Sequence, residues 1–181
     1  MNLTVNDILR GTTAGRLQRV GHMRGVPLLG DSNSDAFAPP DLEVSTHAYG
    51  SVHLRNPSCR PTIVPTGAGW VVRQAAQDHA LPSAYFLGPE ASSTVDVAMC
   101  VQASQGGYIR AEQHRMLILP ATLRLQALAK RREQGYDRLW PEIAEFNRSV
   151  GATPRGHLEF FLKRFKNELD TFVAQFERVP R

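Results

Sequence analysis

The chain has 181 residues and a mass of 20.1 kDa, the size of one ordinary domain, which can bury roughly 70% of its unfolded surface without disulfides or a structural metal. With 42% hydrophobic, 21% charged and 8% aromatic residues and no low-complexity tract, it is neither disordered nor collagen-like. The net charge of +4 lies in the last third: residues 1–110 hold 8 Arg against 8 Asp or Glu, and residues 111–181 hold 13 Arg or Lys against 9 Asp or Glu, a surplus short of the footprint of a dedicated nucleic-acid binder.

The chain opens on Thr4, Asp7 and Gly11, a capping residue, its acidic partner and a stop, which together predict a short helix over residues 4–11. This opening lacks a basic start followed by an apolar run, and apolar stretches elsewhere span only a few residues. Neither a secretory signal nor a membrane span is therefore expected, and the expected compartment is the cytoplasm. The 21 basic residues are 18 Arg and 3 Lys, a bias that fits a GC-rich bacterial genome and says nothing of mechanism.

From residue 17 to residue 109 the signals are those of β structure. Short runs rich in Val, Leu, Ile and aromatic residues recur between Gly, Pro, Asn and Ser clusters, at 26–29, 52–55, 63–64, 70–72, 84–87 and 94–101. The clearest is the last, where Val95, Val97, Met99 and Val101 alternate with smaller or polar residues and predict one strand with one buried face. The polar, proline-ended segment 30–40 is expected to be the longest loop. Gly67, Ala68 and Gly69 hold only the first two glycines of a dinucleotide fingerprint outside any βαβ unit, and read as a turn before the Trp70 strand.

After residue 110 the periodicity becomes helical. Residues 121–134 predict a helix entered after Pro120 and stopped by Gly135, with Leu123, Leu125, Ala127 and Leu128 apolar and Lys130, Arg131 and Arg132 as its basic end. Residues 137–150 predict a second, capped by Asp137, with Pro141 in its first turns and Leu139, Ile143 and Phe146 on one face. Leu158, Phe161, Leu162, Phe165, Leu169, Phe172, Val173 and Phe176 then form an unbroken apolar stripe, expected to pack on the chain's own sheet or helices, with a partner helix as the alternative. The expected fold is α+β in a single domain over residues 1–181: an antiparallel β-sandwich or barrel-like sheet over 1–110, followed by a C-terminal bundle of about three helices over 111–181.

The hydrolase elbow, the zinc-protease helix, the phosphate loop and the Cys/His quartet are all missing from the sequence. Cys59 and Cys100 lie far apart with no metal-ligand spacing, and read as free, buried thiols of a reduced protein. None of the six histidines stands at i, i+4 from another, so no metal site and no cofactor is expected.

One constellation stands out. Gln77 and His79 share strand parity, and a strand ending at Val101 delivers Gln102, Ser104, Gln105 and the Gly106-Gly107 turn. Amides, an imidazole and backbone N–H groups suit a ribose, base or phosphate and supply no nucleophile with its base. The same residues also read as solvated strand and turn positions around a satisfied half-buried histidine. Candidate ligand-binding residues are thus Gln77, His79, Gln102, Gln105, Gly106 and Gly107, with His79 the candidate general base if the protein is an enzyme.

Across residues 43–151 stand, in this order, the VHLRNPSCRP run at 52–61, Gly69, the AAQDH run at 75–79, Cys100-Val101, Gln105-Gly106 and the LWPEI run at 139–143. That order of motifs resembles the ARG and rhodanese-phosphatase-superfamily-associated domain family. The resemblance implies a β-rich domain associated with ADP-ribosylglycohydrolase and rhodanese-phosphatase proteins, hence with ADP-ribose or nucleotide metabolism. Where the family has Gly-Glu-Glu, this chain has Gly69-Trp70-Val71, and no role of those carboxylates carries over. Three functions are consistent with this: a sensor or accessory module for a nucleotide-like ligand, an enzyme on the same ligand class, or an interaction protein that engages a protein partner or a second copy through its C-terminal helices.

Overall fold

The computed structural model describes residues 10–20, 23–30, 37–38, 40–71, 78–103 and 115–174. Two compact units are present, one formed by residues 1–37 with 165–181 and the other by residues 38–164. Within the described residues of the first lie two antiparallel strand pairs, β1 (Thr12–Ala14) with β4 (Leu28–Gly30) and β2 (Gln18–Val20) with β3 (Met23–Gly25), and the helix α4 (Lys166–Ala174). The helix expected over residues 4–11 and most of the loop expected over 30–40 fall outside the described residues.

Among its described residues the larger unit is α+β, with three antiparallel sheets and three helices. β5 (Glu43–Ala48) and β11 (Ser92–Val95) flank β6 (Ser51–Arg55), and β7 (Thr62–Val64) pairs with β10 (Tyr85–Leu87). The four-stranded sheet runs in the order β12 (Met99–Cys100), β9 (His79–Ala80), β8 (Ala68–Val71), β13 (Arg115–Ile118). No sheet closes into a barrel among the described residues. Alternation sets the faces, as in β6, where Val52 and Leu54 are buried while Ser51 and His53 are half-buried and Arg55 exposed. These inward residues meet Val44, Val64, Trp70, Leu87 and Val95 in a first apolar cluster.

A second cluster joins the four-stranded sheet to the helices α1 (Ala121–Ala129), α2 (Trp140–Ser149) and α3 (Leu158–Arg164). Met99 and Val101 pack with Leu123 and Ala127 of α1, Leu139 and Ile143 at the start of α2, and Leu158 of α3. The face expected of residues 137–150 is the one used: Leu139 and Ile143 are buried and Phe146 is half-buried. Asp137 does not cap α2 as expected: the N-cap is Leu139, with no side-chain cap bond, and the Asp137 carbonyl accepts the Trp140 N–H at 2.9 Å in the turn before the helix.

The structure corrects four further expectations. The run 95–101 is not one strand: β11 stops at Val95, residues 96–97 turn, and β12 begins at Met99 in a different sheet. Asp96 accepts the Ser51 hydroxyl at 2.8 Å and the Ala98 N–H reaches the Gly50 carbonyl at 2.9 Å, so the chain crosses between sheets and Val97 is left exposed. Secondly, α1 ends at Ala129, where arginines close the carbonyl end, Arg131 reaching Leu128 O at 2.8 Å and Arg138 Nε reaching Lys130 O at 3.1 Å, and Leu125, expected on the apolar face, is 68% exposed. Thirdly, the last apolar stripe as far as Val173 belongs to two helices, α3 and α4, parted by a turn at Phe165, where the two units also divide, and Phe176 lies outside the described residues. A turn that keeps Phe165 half-buried leaves a period of 3.6 intact, so the spacing does not register the break. Fourthly, Cys59 is exposed, on the loop after β6.

Candidate functional site

His79 and Gln102, the two predicted site residues that fall among the described ones, are both interior. His79 lies on β9 between Trp70 of β8 and Cys100 of β12, fully buried, and its Nε2 accepts the Gly50 N–H at 2.9 Å. An acceptor Nε2 places the proton of the neutral ring on Nδ1, which leaves that ring no open lone pair with which to act as a base. Gln102 is 2% exposed, bridges His157 across an antiparallel pair, and its side-chain amide finds no hydrogen-bond partner among the described residues. The two lie at the same end of the sheet, since His79 pairs with Cys100 and the Val101 N–H reaches the Asp78 carbonyl at 3.0 Å. Gln77, Gln105, Gly106 and Gly107 lie outside the described residues.

Cys100 sits between them and is chemically quiet. Burial pushes its thiol up to about 11; the Gln102 backbone and the Trp140 side chain pull the other way, and Asp78 and Asp137 push it further. A thiol so protonated is neither nucleophile nor metal ligand at neutral pH. Among the described residues no cluster of His, Cys, Asp and Glu could hold a metal ion.

The bond from Gly50 to His79 leads outward to a surface cleft of about 470 Å³ in the larger unit. Three chain segments form its walls: the Tyr49-Gly50 turn, residues 96–98, and residues 131–136 with Arg138. Tyr49 and Gly50 close the β5–β6 hairpin, where Ala48 pairs with Ser51. Gly50 has φ +77, and a side chain there would lie 3.1 Å from Cβ of Tyr136, so glycine is required both by conformation and by the approach of the opposite wall. Its N–H is held by His79 and its carbonyl by Ala98, which fixes the turn from below and from the side.

The third wall is stapled by Arg138. Its guanidinium donates to the carbonyls of Lys130, Gly135 and Val97, the last at 2.8 Å, so one side chain ties the loop after α1 to the 96–98 crossing. Burial lowers its pKa, Glu133 and Asp137 oppose that, and the guanidinium stays charged at neutral pH. The Cys100 N–H to the Tyr136 carbonyl, at 2.7 Å, fastens the same wall to β12. Aromatic rings line the junction: Tyr49 stacks on Tyr136 with centroids 4.9 Å apart and planes 18° apart, and Tyr136 meets Trp140 edge-on at 5.8 Å.

The lining carries Arg131, Arg132 and Arg138 against Asp96 and Glu133, three positive charges less two negative, or +1. Such a lining accepts a planar ring together with a modest negative charge. Sequence reading missed this site because its walls come from residues some 90 apart and no motif joins them. The available signals were the Tyr49-Gly50 turn dipeptide and the confinement of excess positive charge to the last third of the chain.

No curated protein and no solved structure matches the chain. A family model does, and it extends well past the segment 43–151 that carried the resemblance. Matched over residues 13–181, the chain belongs to the family described as the ARG and Rhodanese-Phosphatase-superfamily-associated Protein domain, ARPP-1.

Proposed function

We propose that the chain is an accessory or sensor module that binds a nucleotide-like ligand, ADP-ribose or a relative, in the cleft between Tyr49-Gly50, residues 96–98 and residues 131–138. The observation that carries this reading is the combination in one cleft of a stacked tyrosine pair with arginine side chains. Base–aromatic stacking contributes about 1–3 kcal/mol per base, and guanidinium groups favour an anionic substituent. The implied association of the family with ADP-ribose metabolism agrees in ligand class. His79 supports the cleft from beneath instead of lining it, which favours binding over acid–base turnover.

The test is the melting temperature of the full chain against ADP-ribose, NAD, mononucleotides and divalent metals, repeated with Tyr49→Ala. A ligand at a hundredfold excess over its dissociation constant stabilises the folded state by about 2.7 kcal/mol. A shift with ADP-ribose that disappears in Tyr49→Ala supports the reading, and a flat panel sinks it. A second reading, a protein partner on the C-terminal helices, is favoured by the exposure of Leu125 and Leu128 on one side of α1. Sedimentation of the purified chain as a dimer that Leu125→Glu dissolves would support it, and a monomer would argue against self-association there.

A further inference from the structure

The cations of the cleft are unequally available. Arg138 directs three of its donors at main-chain carbonyls, and Arg131 Nη1 donates to Leu128 O at 2.8 Å. Those two guanidinium groups neutralise the carbonyl end of α1 and the loop after it, which would otherwise repel an anion. Arg132 is exposed and lines the same wall, with Glu133 beside it and Asp96 across the cleft as opposing charges. An anionic group entering the cleft therefore meets solvent-screened guanidinium groups whose surplus over Asp96 and Glu133 is a single charge, an interaction that changes affinity by about fivefold at most.

The aromatic side is built differently. Tyr49 is 44% exposed and lines the cleft, while its ring rests on Tyr136, which in turn abuts Trp140. The turn that carries it is bonded at Gly50 to both His79 and Ala98, so the ring is held in place before any ligand arrives. Stacking on such a platform changes affinity by about five- to 150-fold. From these two inequalities we infer that the cleft selects its ligand by a planar nitrogen heterocycle stacked on Tyr49, with phosphate a minor contributor. This rests on the nucleotide-like reading and deepens it: the recognised class is the nucleoside part, and nucleoside and nucleoside diphosphate bind alike.

The experiment is equilibrium titration of the full chain with adenosine, ADP and sodium pyrophosphate, at about 50 mM and about 200 mM salt, a range over which phosphate-driven binding weakens steeply. The inference expects adenosine and ADP to bind within about fivefold of each other, pyrophosphate not to bind, and salt to change either affinity by less than about threefold. Tyr49→Leu lowers both affinities by at least about tenfold, Tyr49→Phe restores them, and Arg132→Gln lowers that of ADP by about two- to fivefold. The melting temperature of each variant confirms that it is folded. ADP binding far more tightly than adenosine, binding of pyrophosphate alone, or a Tyr49→Leu chain that is folded and binds normally would overturn the inference and leave the nucleotide-like reading standing. Failure of all three probes to bind the wild-type chain overturns both.

Discussion

The main-chain N–H of Gly50 donates to Nε2 of His79 at 2.9 Å, across 29 residues of sequence and in a buried setting. The strand residue thus holds the hairpin turn that forms one wall of the cleft. His79→Leu removes the acceptor and leaves a buried donor unsatisfied, a loss of about 1–3 kcal/mol. Urea unfolding is expected to show a lower midpoint with an unchanged slope, together with weaker ligand binding through loss of the fixed turn. A variant as stable as the wild type would mean that the bond contributes nothing.

Asn56 is a second polar residue that works inside the fold. It is 1% exposed, its Nδ2 donates to the carbonyls of Arg60 and Gly88 at 2.8 Å each, and its Oδ1 accepts the Ser58 N–H at 3.1 Å. It clamps the loop 56–60 onto the turn before β11, which gives the NPSCR segment of the sequence a structural role. Asn56→Ala is expected to destabilise the chain by about 2–4 kcal/mol, since two carbonyls and an N–H lose their partner at once. Thermal unfolding measures this, and a change below about 0.5 kcal/mol would contradict the clamp.

How much of this was legible in the sequence depends on how local the cause was. The strands at Val52, Ile63 and Tyr85 and the helix around Ile143 follow from alternation or helical spacing that their own residues carry. The crossing at residues 96–98 did not, because Val97 alternates correctly and only the bonds from Ser51 to Asp96 and from Ala98 to Gly50 reveal that the chain changes sheets. His79 and Gln102 were singled out as unusual polar residues on strands, yet a strand pattern does not say whether both faces are covered, and here both side chains are interior. The cleft was the least legible part: Gly50, Val97 and Tyr136 are tied in through main-chain carbonyls that any residue offers.

The two thiols should separate cleanly. Cys59 is exposed, whereas Cys100 is buried with its thiol raised to about 11. A disulfide reagent at neutral pH is expected to modify Cys59 in the native chain and Cys100 only after denaturation. Equal reaction of both in the native state would contradict the buried position of Cys100.

His157 should make stability depend on pH in the acid direction. Burial depresses its pKa below 6.5, with Arg155 acting the same way and Glu159 opposing. Between the folded value and 6.5 the unfolded chain therefore binds more protons than the folded one, so stability rises with pH through that window and its full contribution is present above 6.5. It is lost as pH falls toward the folded value. Comparing urea midpoints at about pH 7.5 and about pH 5.5, His157→Leu is expected to lose less stability on acidification than the wild type. An equal or larger loss in the variant would reverse the sign of this argument.

Occupation of the cleft by a nucleotide-like ligand is best tested by titration of ADP-ribose into isotopically labelled protein, followed by amide resonance. Saturable shifts are expected at Tyr49, Gly50, Val97 and residues 131–136, and Tyr49→Ala is expected to abolish them. The absence of any shift, or shifts confined to residues 102–107 with the cleft unmoved, would contradict it.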